Sequence, residues 1–312
     1  MKKILFSVAV ILLTLVFVAS SEKAEAQTDP SLVSRIERCE VFVFGKKYPD
    51  SATERVNRLE RELLGQKSSG ELVSRSSNIF NFLFIGTQKS PSLELKVRFL
   101  EWKSFREVRE GALAERLAKL DEFVSGQTTS EPFAFRVEQL IQMTVEKGLL
   151  LLHKIKVPAG TSLRVKIGKT VSSSNADVGD EVPLIVQDDL ILSKNILVFP
   201  KGGKAVGDLD QVRKSGRFGR QGKLRFVVRK AVAIDGTSLP VSLKDLSGND
   251  IDKKKLGMAV GASTVGYLAM GPVGLVGGIF VKGKDVTIPE GTELLISVTE
   301  DTYVNGVLIS GK

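Results

Sequence analysis

The sequence predicts an α+β protein: a region of short helical repeats, then a β-barrel or sandwich carrying a glycine-rich helical hairpin insertion. Three observations predict it. A basic residue recurs at Arg35, Arg55, Arg75, Lys96, Arg116 and Arg136, at steps of 20, 20, 21, 20 and 20. From Gly148 the helical period gives way to short apolar or alternating runs with β-branched residues. Residues 256–281 then run for 26 positions without a charge.

The chain begins Met1, Lys2, Lys3, continues through an uncharged apolar run over residues 4–19, and reaches Ala24-Glu25-Ala26. A basic start, an apolar core and an A-x-A exit describe a secretory signal peptide over residues 1–26. The rival reading is an uncleaved inner-membrane anchor, which normally needs about 20 apolar residues. On either reading the chain from Gln27 onward is exported, to the periplasm or in association with the outer membrane. The single cysteine, Cys39, excludes an intrachain disulfide framework. It follows Arg35-Ile-Glu-Arg38 and not an apolar lipobox, so no lipid anchor is expected. A small buried residue on a helix face is the preferred reading of Cys39, with an intermolecular disulfide as the other.

Residues 27–148 form the repeat region. Arg35, Arg55 and Arg116 open a pattern of basic, apolar, x, basic, apolar, acidic, then a further apolar residue and a glycine; Arg75 and Arg136 follow it more loosely, and Lys96 leads to Phe105-Arg106 with no glycine. Arg35-Ile-Glu-Arg-Cys-Glu40 leads to Gly45, and Arg55-Val-Asn-Arg-Leu-Glu60 leads to Gly65. Apolar positions one, four and eight residues after the basic one share a helical face. The glycine stands where a left-handed cap ends a helix. Pro49, Asp50, Ser51 and Thr53, then Ser90-Pro91, then Ser130-Glu-Pro132, supply turns and N-caps. Short helices of about 11–15 residues follow from this spacing, with residues 92–124 expected to run as one longer helix for want of a strong breaker. Such helices are marginal alone and must pack on one another. A basic and an acidic residue five apart do not face each other, so the repeated charges are expected to bridge neighbouring repeats. The pattern resembles short repeats of about 20 residues in secreted bacterial envelope proteins.

Residues 149–312 form the β-rich part. Strands are expected over 149–157, 162–171, 181–187, 190–199, 204–213, 223–234, 237–246, 285–288, 293–299 and 303–310. Asp235-Gly236 and Asn305-Gly306 are turn signals between them. Val157-Pro-Ala-Gly-Thr161, Phe199-Pro-Lys-Gly-Gly203 and Ile288-Pro-Glu-Gly-Thr292 share one punctuation, expected as type I turns at three corners of one barrel. Val157-Pro-Ala-Gly-Thr161, Val178-Gly-Asp180, Val198-Phe-Pro-Lys-Gly202, Gly216-Arg-Phe-Gly-Arg220 and Asp235-Gly-Thr-Ser-Leu-Pro-Val241 occur in that order. The order resembles the C-terminal barrel of the TrbI-like family, scaffold components of type IV secretion and conjugation complexes. The resemblance covers about residues 156–300. It implies a barrel that multimerises and carries a helical hairpin reaching the outer membrane. The N-terminal half departs from that family, which leaves a stand-alone envelope protein with a similar barrel as the alternative.

Two segments stand out as carriers of function. Residues 256–281 hold Gly257, Gly261, Gly266, Gly271, Gly274, Gly277 and Gly278. Small residues at such spacings let helices approach closely. Two full membrane crossings need about 40 residues, so a short hairpin turning at Met270-Gly271-Pro272 is expected. It either caps the barrel or contacts a membrane or another subunit. Residues 211–230 carry Arg213, Lys214, Arg217, Arg220, Lys223, Arg225, Arg229 and Lys230, and no acid. The first six of these are the candidate contacts to an anionic surface. Each cation near an anionic membrane contributes about 1 kcal/mol, and a solvated loop is the other reading. The charge is uneven: residues 27–148 hold 19 Lys+Arg against 18 Asp+Glu, residues 149–312 hold 23 against 16. The asymmetry places any anionic partner on the second half. Phe218 and Phe226 alone make no stacking platform, so nucleic acid is not expected.

Enzyme chemistry finds no constellation. His153 is the only histidine, so neither an ordinary zinc site nor a His-based triad assembles. Residues 216–224 lack the spacing and hydroxyl of a P-loop. Asp188-Asp189 and Asp250 with Asp252 read as turn residues, and calcium at residues 249–252 is a minor reading. The expectation is a non-enzymatic envelope scaffold without cofactor or metal, oligomeric or part of an envelope complex, in membrane contact through the glycine-rich hairpin. The alternative is a soluble periplasmic module binding an anionic envelope polymer, wall glycan or lipopolysaccharide. A wall-active hydrolase using two carboxylates distant in sequence stands third.

Overall fold

The computed structural model describes residues 31–193, 195–216, 221–244, 279–283 and 286–309. Six helices come first: α1 Leu32–Phe44, α2 Ala52–Leu64, α3 Leu72–Phe80, α4 Leu93–Phe105, α5 Leu113–Ser125 and α6 Phe133–Thr144. Serines 31, 51 and 92 cap α1, α2 and α4 by accepting the backbone N–H of the third helical residue. Gly45, Gly65 and Gly126 end α1, α2 and α5 in the left-handed conformation. The apolar face is the one read from the spacing: Ile36, Cys39 and Val43, then Val56, Leu59 and Leu63, are all buried in one helical core.

The single long helix expected over 92–124 is two helices. Arg106 takes the left-handed position at φ 60, its N–H donating to the Trp102 carbonyl, and α5 begins seven residues later. The Arg109 N–H donates to the buried Glu101 carboxylate and fixes the turn. Arg106 itself takes the left-handed cap that glycine takes elsewhere, so the absence of a glycine does not let the helix run on.

The repeated charges bridge neighbouring repeats. Arg55 donates to Glu40, Arg75 to Glu60, Arg116 to Glu101 and Arg136 to Asp121, each pair 15 residues apart. Glu40, Glu60 and Glu101 also each accept a backbone N–H eight residues on, from Tyr48, Ser68 and Arg109. One carboxylate therefore ties its own turn to the next helix. The ladder is interrupted between α3 and α4, where Phe80 occupies the acidic position. There the basic residue opening each triplet reaches the third helix instead: Arg35 donates to Ser77 and Lys96 to Glu138, both 42 residues apart. The six repeats are thus two matching triplets, α1–α3 and α4–α6, in which the first helix packs on both the second and the third.

The strands are β1 Leu152–Val157, β2 Ser162–Ile167, β3 Val171–Ser172, β4 Glu181–Val186, β5 Leu190–Leu192, β6 Ile196–Phe199, β7 Lys204–Arg213, β8 Gly222–Val232, β9 Ser238–Leu243, β10 Ile279–Gly283, β11 Thr287–Ile288, β12 Glu293–Val298 and β13 Thr302–Leu308. The order β8-β7-β4-β2-β12-β9 closes through pairing of β9 back onto β8, giving a six-stranded antiparallel barrel. Alternate residues point into it: Leu163, Val165 and Ile167 on β2, Leu224, Phe226 and Val228 on β8. A second sheet, β1-β13-β6-β5, lies outside. Two expected strands are each two: 162–171 divides into β2 and β3, and 190–199 folds into the β5–β6 hairpin with Ser193 at φ 46.

The three Pro-x-Gly corners each lead into a barrel strand, β2, β7 or β12. They are not the type I turns expected. Thr161, Gly203 and Thr292 donate to the carbonyls of Pro158, Pro200 and Pro289, so proline is first and glycine third. Gly160, Gly202 and Gly291 have φ of 81–85°, as a type II turn requires at that position. Each of these glycine N–H groups also donates to a neighbouring carbonyl, of Val298, Val186 and Ile167 respectively.

Candidate functional site

The expected glycine-rich hairpin lies outside the described residues, and with it Gly257, Gly261, Gly266, Gly271, Gly274, Gly277 and Gly278. Its assigned end is corrected: residues 279–281, counted in the apolar run, belong to strand β10. β9 and β10, the strands before and after residues 245–278 in the chain, both pair with β8.

Of the basic candidates, Arg217 and Arg220 also lie outside the described residues. Arg213 and Lys214 are exposed at the end of β7. Arg213 sits opposite Lys223 on β8, and its Nε donates to the Gln221 carbonyl at 3.1 Å. Lys214 Nζ is 4.0 Å from Asp177. Arg225 Nε lies 3.1 Å from Asp210 Oδ2, and Arg229 pairs with Asp208. The stretch 211–230 has no acid of its own, yet β7 brings Asp208 and Asp210 beside it. Sequence reading missed this because cross-strand partners depend on register.

The helices meet the outer sheet and the turn after β8 at an apolar seam. Leu95, Phe99, Trp102 and Val108 share one core with Leu197, Ile234 and Val307. Trp102 Nε1 donates to Asp189 Oδ2 at 2.8 Å, Arg98 Nη1 to the Ala233 carbonyl at 3.0 Å, and the Val108 N–H to the Lys201 carbonyl at 2.8 Å. A Cβ at Gly202 would fall 2.1 Å from the Val108 carbonyl oxygen, so only glycine lets the two backbones approach this closely.

Beside the seam a cleft of about 1250 Å³ opens between α1, the end of α3, the loop to α4, the turn after β8 and β13. Its helical wall is unusual. Residues Asn81–Ile85 continue α3 as a π-helical turn, closed by the Gly86 N–H donating to the Asn81 carbonyl. The 21-residue step from Arg75 to Lys96 carries one residue more than the others, and a π turn is how a helix absorbs one extra residue without breaking. Such turns recur at functional sites. Arg38, exposed on α1, lies over the rings of Phe84 and Phe80, at 4.4 and 5.2 Å from their centroids. Across the cleft, Asp235 Oδ1 accepts the Thr237 N–H, and Oδ2 accepts both the backbone and side-chain N–H of Asn305. Sequence reading identified Asp235-Gly236 as a turn and as the start of an ordered motif and did not find the cleft; the odd step of 21 was its one visible trace.

Cys39 is buried in the helical core and free. Burial pushes its thiol up to about 12, so it is an inert packing residue. Among the described residues no group of three or more His, Cys, Asp or Glu is placed to hold a metal. Among them also, no helix is long and apolar enough to cross a membrane.

No protein-family model matches the chain, and no curated protein matches it. Among solved structures, ComB10 of the Com type IV secretion system of Helicobacter pylori matches over 47% of this chain and 90% of that one, at 15% identity and a TM-score of 0.25. A likeness that low assigns neither a family nor an activity to this chain.

Proposed function

We propose that the protein is an exported, non-enzymatic scaffold of the bacterial envelope, working as a multimer or within an envelope complex. One observation carries the reading: the uncharged run 256–278 lies in the chain between two strands, β9 and β10, that both pair with the barrel strand β8. A segment held in that way cannot make a single membrane crossing. On this reading the run, apolar and glycine-rich in sequence, contacts a bilayer or a second subunit. The fused helical unit gives the barrel a stiff arm, and the motif order shared with TrbI-like barrels supports the same reading.

The test is fractionation of cells producing the full chain or a version lacking 256–278, with detergent-extracted protein sized by light scattering. The deletion stops before Ile279 to spare β10. An outer-membrane complex for the full chain and a soluble monomer for the deletion are expected. Soluble monomers in both cases would overturn the scaffold. A second reading, adhesion to anionic envelope polymer through the β7–β8 tip, is favoured by exposed Arg213 and Lys214. It predicts salt-sensitive sedimentation with purified sacculi or lipopolysaccharide, lost in Arg213→Gln/Lys214→Gln.

A further inference from the structure

We propose that the cleft beside the seam binds a carboxylate-bearing glycan, with Arg38 taking the carboxylate. The site is independent of the scaffold reading, since it uses no residue of the apolar run. Four observations carry it.

The first is size. A cleft of about 1250 Å³ exceeds the 300–1,000 Å³ typical for drug-sized ligands and suits an extended, oligomeric one. The second is charge. The acids on the wall are committed within the protein: Glu94 pairs with Arg98 at 2.6 Å, and Asp235 accepts three N–H groups. Arg38 makes ring contacts and, among the described residues, no ion pair. A guanidinium lying over two phenyl rings is held by them, and as an exposed group it can offer its N–H edge to a planar, bidentate acceptor. A carboxylate is that acceptor.

The third is the remaining lining. Asn81, Thr87, Gln88, Thr237 and Ser238 supply amides and hydroxyls, which both donate and accept, as sugar hydroxyls do. Phe80 and Phe84 are buried beneath Arg38, so the surface they offer the cleft is covered by the guanidinium. The fourth is construction. The inserted residue that makes the π turn places Asn81 and Ile85 on the wall, and the rim after it is fixed. The Thr87 N–H donates to the Ser90 carbonyl at 2.7 Å, and the Ser90 N–H returns to Thr87 Oγ1 at 2.9 Å. A rim held by its own hydrogen bonds lowers the cost of binding.

The experiment is calorimetric titration of the purified full-length protein with hexagalacturonate, with neutral cellohexaose and hexaglutamate as comparators. Hexagalacturonate is expected to bind at least about tenfold more tightly than either, a difference of about 1.4 kcal/mol. Arg38→Gln is expected to weaken it about tenfold, and Asn81→Ala and Gln88→Ala several-fold, with unchanged melting. Lys214→Gln removes an equal charge on the β7–β8 tip and is expected to leave binding unchanged. Absence of hexagalacturonate binding overturns the proposal. So does equal loss in Lys214→Gln, which would mark diffuse electrostatics, or tighter binding of hexaglutamate, which would mark an acidic-peptide site.

Discussion

Arg106 holds the left-handed cap that glycine holds in α1, α2 and α5, at φ 60. A side chain there costs about 1–2 kcal/mol, partly offset by its guanidinium 5.3 Å from the Trp102 ring. Arg106→Gly is therefore expected to stabilise the protein by about 0.5–1 kcal/mol in urea denaturation; a loss of stability would show that the ring contact dominates. Gly202 is the opposite case. Its φ is 81 and its missing Cβ is replaced by the Val108 carbonyl. Gly202→Ala combines a strained backbone with a backbone clash and is expected to cost at least about 2 kcal/mol. Cys39 requires no such balance. With the thiol buried and pushed up to about 12, native protein is expected to resist maleimide until denatured.

Helices of 9–13 residues do not stand alone, and the ion-pair ladder shows how these are joined. Glu101 is fully buried against Arg116 and the Arg109 N–H. Removing one partner strands the other charge, so Glu101→Ala is expected to cost about 3–5 kcal/mol, whereas Glu101→Leu with Arg116→Met costs less. Denaturation of the two single variants and the double variant checks this; additive losses would show that the pair is no unit. Acid sensitivity follows from Glu60. Burial raises its carboxyl, but hydrogen bonds from Arg75 and Ser68 outweigh that and hold it below the ordinary range. A folded value below the unfolded one means the contribution is present above about pH 4.3 and is lost as pH falls through the folded value. Glu60→Gln is expected to lower stability at neutral pH and to flatten its fall in acid, read from urea midpoints across that range.

At the scale of the whole molecule, the seam makes helices and barrel one cooperative body. Leu95, Phe99 and Trp102 share a core with barrel residues, and Trp102 is hydrogen-bonded to Asp189. One calorimetric transition is expected for the native protein. Trp102→Phe removes a hydrogen bond to a carboxylate and is expected to cost about 1.5–3 kcal/mol within one transition. Gly202→Ala pushes the two backbones apart and is expected to split the transition in two. Two transitions already in the native protein would mean that the seam does not couple its halves.

Much of this architecture was legible in the residues. The 20-residue step gave the helices and their buried faces because the helical period is local, and the acid five after Arg35, Arg55, Lys96 and Arg116 pointed to bridges between repeats. Alternation and Pro-x-Gly punctuation placed most strands because side chains in a strand alternate by two. What escaped the sequence was whatever joins distant residues: Asp208 and Asp210 beside Arg229 and Arg225, Trp102 on Asp189, Arg38 facing Asp235 across a cleft. Register, barrel closure and the docking of helices on an outer sheet are decided by which surfaces exclude water together, and no local period records that. The sequence by itself determined the elements and the pairing of neighbours. The tertiary structure decided how β8 closes the barrel and where the seam leaves open a cleft lined by Arg38, a guanidinium without an ion pair among the described residues.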